Sequence, residues 1–218
     1  IAAEEPVTVG FSISVPDTWF EVDLNPLTRR ASIDALVRER TRGVPELAAN
    51  RAAISRLLRN AASDAAAGGA LFCGVMTEAV EGAGLSASVA ISLLFAPNSD
   101  RITGVTGVTP SAIMSTLSEK VARSQDDTWT TVALVDLPHV GQAARSYGVE
   151  DISLPDQAGW IRTTMMQTFV PIPRSDRVAL VSCSSPNLVL VDALHDLFDA
   201  VTSTFRFVPD GGEFAAPL

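Results

Sequence analysis

Hydrophobic and polar positions alternate from the start of the chain. In "VTVGFSISV" (7–15), Val7, Val9, Phe11, Ile13 and Val15 share one phase, the period of a half-buried β-strand. Pro16 stops that strand, because proline has no N–H to give to a ladder. Phe20, Val22 and Leu24 resume the alternation and predict a short continuing edge strand. Trp19 lies between the two runs, in the turn "VPDTW" (15–19). The expectation is a corner plug, an indole folded back over the edge of the core, rather than an exposed stacking platform.

The period then changes. Residues 28–42 predict a helix with Ile33, Leu36 and Val37 as its apolar stripe, and "GVP" (43–45) breaks it. A second helix is expected over about 46–66, with Leu47, Ile54, Leu57, Leu58 and Ala61 inward and Gly68-Gly69 as its C-terminal stop. Strands over about 70–81 and 85–96, joined by "EGAG" (81–84), read as a hairpin. After a turn at 96–100, Thr109-Pro110 reads as a helix cap followed by proline in the first turn. That helix runs to about 123 and buries Ile113, Leu117 and Val121. Strands follow over about 129–137, 140–150, 159–172 and 177–184, with turns at 137–141, 154–159 and 172–176. "SSPN" (184–187) opens a last helix, ending near 204, whose inward side is Leu190, Leu194, Leu197, Phe198 and Val201. The tail "FAAPL" (214–218) is expected to fray.

Short turns between consecutive strands require antiparallel pairing. Amphipathic helices must bury their stripes on that sheet. The expected fold is one α+β domain over 1–218, an antiparallel sheet of about six to seven strands flanked by helices. Three features together resemble the Mog1/PsbP-like fold family: the strand leading into "VPDTW", the run of antiparallel strands, and the closing "FDAVTSTFRF" (198–207). Thr204 stands where that family often has serine. The likeness is to an actinobacterial or LpqN-like member, with a two-helix insertion at about 28–66. It implies a largely non-enzymatic role: accessory subunits, binding adaptors and lipoproteins.

Composition narrows the function classes. With 47% apolar and 19% charged residues, the chain has enough apolar side chains for a packed core. Its longest apolar runs fall far below the roughly 20 residues that span a bilayer. "IAAEEPVTV" (1–9) has neither a basic region nor an apolar core, so it does not read as a secretory signal. The cytoplasm is the expected compartment, with a removed or missing N-terminal segment left open. A net charge of −9 disfavours nucleic acid. Fifteen of the sixteen basic residues are arginine, Lys120 being the exception. Cys73 and Cys183 sit in apolar runs and read as small buried hydrophobes, or as one disulfide if their strands lie close.

No catalytic motif stands out. Asp192, His195, Asp196 and Asp199 share a helix face and read as its solvated side, with a His195–Asp199 surface pair possible at this spacing. His139 lies in a turn. The serines of "GFSIS", "GLSAS" and "SCSSP" lack the nucleophile-elbow pattern. "GVTGVT" (104–109) lacks phosphate-loop spacing. No cofactor and no metal are expected.

Charge is the one asymmetry. Between 29 and 59 eight arginines face three acids, a net +5 that leaves the remaining residues at −14. Arg38, Arg42, Arg51, Arg56 and Arg59 are the candidate contact residues for an acidic protein partner or a second copy of the chain. The leading expectation is a non-catalytic adaptor using this helical segment. A small-molecule or lipid carrier would instead need a closed apolar cavity between sheet and helices. A hydrolase would need a polar cleft containing His139 or His195.

Overall fold

The computed structural model describes residues 9–42, 45–49, 51–80, 83–95, 108–123, 128–153 and 159–209. Val7, the turns at 96–100 and 154–158, most of "GVTGVT", the tail 214–218 and the side chains of Leu47 and Leu57 lie outside the described residues.

The main sheet has seven antiparallel strands: β2 (Phe20–Glu21), β3 (Ala70–Val80), β4 (Ala83–Phe95), β8 (Arg177–Ser185), β7 (Trp160–Pro171), β6 (Gly141–Ser153) and β5 (Thr130–Leu137), in that spatial order. The expected fold class holds. The hairpins β3–β4, β5–β6, β6–β7 and β7–β8 each pair strands consecutive in the chain, as their short connections require.

One face of this sheet carries α5 (Val191–Ser203), entered through a single 3-10 turn at Leu188–Leu190. Leu194, Phe198 and Val201 meet Ala179, Val181 and Cys183 of β8 and Met166 and Val170 of β7. Leu190 is 43% exposed, so the inward stripe begins one turn later than expected; the 3-10 turn rotates Leu190 off the helix's buried side. The opposite face is covered in two places. Helix α4 (Pro110–Arg123), capped by Thr109 Oγ1 on the Ala112 N–H at 3.3 Å, packs Ile113 on Ala144 and Val178. Helix α1 (Arg29–Arg40) and helix α3 (Arg51–Ala67), linked through the short α2 (Pro45–Ala49), bury Ile33, Val37 and Ala62 against Val22, Cys73 and Val75. The expected helix over 46–66 is thus two pieces. Ala62 is its inward alanine and Ala61 is exposed, because Ala62, not Ala61, continues the stripe of Ile54 and Leu58. Gly69 ends α3 at φ 81°, a conformation that glycine adopts without strain.

The first strand is not part of the main sheet. Strand β1 (Val9–Ser12) pairs with β9 (Arg206–Pro209) as a separate two-stranded ribbon in which Phe11 faces Phe207. Phe205, fully buried, stacks on Phe11 at 5.8 Å and meets Phe207 edge-on at 5.3 Å. Thr204 joins the ribbon to α5: its Oγ1 accepts from the Ser14 N–H at 2.8 Å and donates to the Val201 carbonyl at 2.7 Å. Strand β9 was not expected. Its four residues are too few to signal a strand, and its partner lies at the far end of the chain.

Trp19 is the corner plug. Its N–H closes the turn on the Pro16 carbonyl at 2.9 Å, and the residue is 6% exposed among Phe11, Ile13 and Phe72. Cys73 and Cys183 are free and lie in different cores on opposite sheet faces, which rules out the disulfide alternative. Burial pushes their thiols up to about 11 and about 12. Truncating a buried aromatic costs on the order of 3 kcal/mol. Trp19→Ala is therefore expected to lower the unfolding free energy by that amount, seen as a lower denaturant midpoint at unchanged slope, and an unaltered midpoint would contradict the plug.

Candidate functional site

The arginine-bearing helices divide into residues with internal work and residues without it. Arg51 is half-buried; its Nε donates to Thr41 Oγ1 at 2.8 Å, and Thr41 in turn donates to the Val37 carbonyl at 2.7 Å. This places a guanidinium at the carbonyl end of α1, where the helix dipole favours it. Arg59 Nε donates to the Ser55 carbonyl at 3.1 Å, and its Nη1 lies 3.7 Å from Asp34. Arg29 reaches the Ala62 carbonyl at 3.3 Å, and Arg40 lies over the Phe20 ring at 5.3 Å. Arg38, Arg42 and Arg56 are exposed, and their side chains form no ion pair or hydrogen bond among the described residues. Of the five arginines singled out by charge, three are free surface cations and two brace the helical pair.

The two histidines part company. His139 is exposed in the β5–β6 turn. His195 is half-buried under α5, where its Nε2 meets Thr164 Oγ1 at 2.8 Å. Thr164 also donates to the Gly148 carbonyl at 3.2 Å, so both bonds are satisfied when Nε2 carries the proton. Trp129 and Tyr147 close around the imidazole edge-on, at 6.0 and 5.4 Å. Gly148 lets the segment before β5 approach, since a Cβ there would lie 2.0 Å from the Trp129 carbonyl oxygen. Burial lowers the His195 pKa, while Asp192 and Asp196 pull it partly back.

Asp199, one turn on, does not pair with His195. It accepts from Nη1 of Arg145, a buried β6 residue whose Nε donates to Thr168 Oγ1 at 2.9 Å. The supposed solvated acid face is therefore partly a docking face, and residues 195 and 199 hook α5 to the sheet. Arg145, Thr164 and Thr168 are the residues that sequence reasoning missed. The available signal was one arginine, Arg145, in the phase of Ala143, Tyr147 and Val149. Thr164 and His195 resemble a nucleophile and base, but Thr164 is fully buried (0% exposed) and out of reach of any substrate.

On the opposite face, α4 and the α1–α3 pair leave the middle strands partly open. Ser88 and Ser184 meet there at 2.9 Å. A cleft of about 230 Å³ opens between α4 and the sheet. Leu117, Lys120 and Val121 form its helical wall, and Thr130, Ser146 and Gln167 its floor. It is neither closed nor apolar, and neither histidine lines it. No group of three or more His, Cys, Asp or Glu among the described residues is arranged to hold a metal. No described helix is long and apolar enough to cross a membrane.

No protein-family model matches the chain, and no curated protein does. Among solved structures it is similar to LpqN of Mycobacterium tuberculosis, described as involved in cell envelope biogenesis. That match has 11% identity over 94% of this chain and 87% of that one, with a TM-score of 0.48.

Asp199→Ala would strand the Arg145 cation on the sheet. Losing one partner of a buried pair costs about 3–5 kcal/mol, and the exposure of Asp199 to water reduces the expected loss to about 2 kcal/mol. Arg145→Met in the same chain should recover most of it by removing the stranded charge. His195 binds its proton less readily folded than unfolded, so its contribution to stability is full above pH about 6.5 and is lost as pH falls through the folded value. Melting midpoints are expected to drop from pH 7 to pH 5, and to drop less in His195→Gln. Equal slopes in the two proteins would remove His195 from the account.

Proposed function

We propose that this protein is a non-catalytic accessory protein that binds an acidic protein partner through the exposed side of α1 and α3. The charge separation carries this reading: a segment of net +5 on a body of −14, with Arg38, Arg42 and Arg56 unpaired among the described residues and open to solvent. Clustered exposed cations speed encounter with an acidic surface and select against basic ones. The internal ties of Arg51 and Arg59 hold the helices on which these three are presented. We place the chain in the Mog1/PsbP-like family on its two ends: Trp19 plugs the corner after the first strand, and Thr204 ties that strand to the last helix. Two free thiols in separate cores suit a reducing compartment, which supports the cytoplasm as its place.

The test reverses Arg38, Arg42 and Arg56 to Glu together. Partner capture from the source cell's extract, followed by identification, is expected to recover an acidic protein with the parent chain and to lose it with the triple variant. Binding should also weaken at high salt, since exposed charges more than about 10 Å apart are screened at 0.1 M. Stability should change little, because such surface charges contribute roughly 0–1 kcal/mol each. Capture undiminished by the reversal would refute the reading. Concentration-dependent light scattering that vanishes in the variant would make a second copy of the chain the acidic partner.

A further inference from the structure

The cleft beside α4 is lined by none of the arginines of α1 and α3, and its floor is polar where the neighbouring sheet surface is apolar. Ser146 of β6 stands directly opposite Gln167 of β7, with Val132 of β5 on its other side. Farther out along the same sheet face, Ala144, Phe169 and Leu134 are apolar and pack against α4. The change from apolar to polar side chains coincides with the point where the cleft opens. Ser146 is only 7% exposed, and its hydroxyl bonds no described residue. It is also absent from the fully enclosed unpaired atoms among the described residues, Arg145 Nη2 and Thr202 Oγ1, so the hydroxyl opens into the cleft. The Gln167 amide and the Thr130 hydroxyl are likewise without a described partner. Gln167 and Thr130 are half-buried and the Ser146 hydroxyl faces the opening, so these groups are available to a small polar molecule that enters the cleft.

Charge at the mouth narrows what that is. Lys120 lines the helical side and Glu150 the sheet side, and neither pairs with the other or with any described residue. Asp151, also at the mouth, is already held by Arg162 through two 2.8 Å bonds. Among its described residues the cleft presents one cation and one carboxylate without a described partner, an amide and hydroxyls, with Leu117 and Val121 as an apolar wall. Among the described lining residues a polyanion would meet a single cation, and a polyamine would meet Lys120 as a competitor. A sugar would find no aromatic ring among the described lining residues to stack on. At about 30 Å³ for each water, the volume holds roughly eight waters, or a ligand with about that many heavy atoms.

We propose that this cleft is a binding site for a small zwitterion, specifically a free α-amino acid with an aliphatic side chain. Its ammonium meets Glu150, its carboxylate meets Lys120 and the Gln167 amide, and its side chain lies on Leu117 and Val121. This site is separate from the arginine surface, so the two readings stand or fall independently.

The test is titration of the isotope-labelled chain with L-leucine, followed by amide shifts. L-Leucine is expected to give saturable shifts centred on residues 117–121, 146–150 and 167. 4-Methylpentanoate, which lacks the ammonium, and isopentylamine, which lacks the carboxylate, should bind at least tenfold more weakly. Glu150→Gln should cut leucine affinity about tenfold and leave 4-methylpentanoate unaffected. Absence of saturable shifts in the parent chain, or equal binding of leucine and either truncated analogue, would overturn the proposal. Equal leucine affinity in Glu150→Gln would do the same.

Discussion

The seating of α5 on the sheet is the contact on which the rest depends. Leu194, Phe198 and Val201 turn one face of β7 and β8 from an open surface into a core. The helix then delivers Phe205 into the gap where β1 and β9 meet. Its position is set by polar contacts as well as apolar ones. Apolar packing alone tolerates sliding by a residue or a slight rotation. A hydroxyl meeting an imidazole and a guanidinium meeting a carboxylate, four residues apart on one helix side, do not. Part of the cost of burying Arg145 is offset by Thr168 and Asp199, and what the pair contributes is registry more than raw stability.

The two faces of the sheet are treated differently as a result. With one face committed to α5 and the terminal ribbon, every other helix must lie on the reverse. These helices do not tile it. The α1–α3 pair covers the β2–β3 edge, and α4 covers β5 to β7. The space at α4's C-terminal half, where the apolar contacts of Ile113 give way to Lys120, is where the cleft forms. The arginine surface and the cleft are both products of this incomplete coverage, one on the outer side of a helical pair and one beside a lone helix.

Much of this was legible in the chain. Period-two alternation over 70–96 and again over 129–185, with short turns between the consecutive strands of each run, dictates antiparallel pairing, and proline and glycine mark most of the corners. Trp19 was legible because a proline-terminated strand leaves one large apolar side chain with nowhere to go but inward. The helical stripe errors at Ala61 and Leu190 are single-residue slips at places where a short helix or a 3-10 turn shifts the phase. The polar chemistry was hidden for a different reason. Strand β6 is buried on both faces, so Ala143, Arg145 and Tyr147 interleave with Ala144, Ser146 and Gly148, and no phase looks outward. Arg145 finds its carboxylate 54 residues away, and Ser146 finds Gln167 only through the hairpin register. Such pairings are decided by three-dimensional folding, and no local window of sequence contains them.

The β1–β9 ribbon has a consequence for how the molecule assembles. Every hairpin of the sheet from β5 to β8 closes over a short connection, and so gains its ladder bonds early. The ribbon joins residues at opposite ends of the described chain, Val9 with Pro209 and Ser12 with Arg206, and its loop closure is the longest in the fold. On a ribosome, β1 would emerge before the other described strands and wait for its partner until all the elements between them had been made. Phe11 and Trp19 would stay uncovered through that interval, and the sheet would stand with α5 unlocked. Completion of the core is therefore coupled to synthesis through β9: truncation between β8 and Phe205 leaves the hairpins formed with an apolar corner open to neighbouring chains.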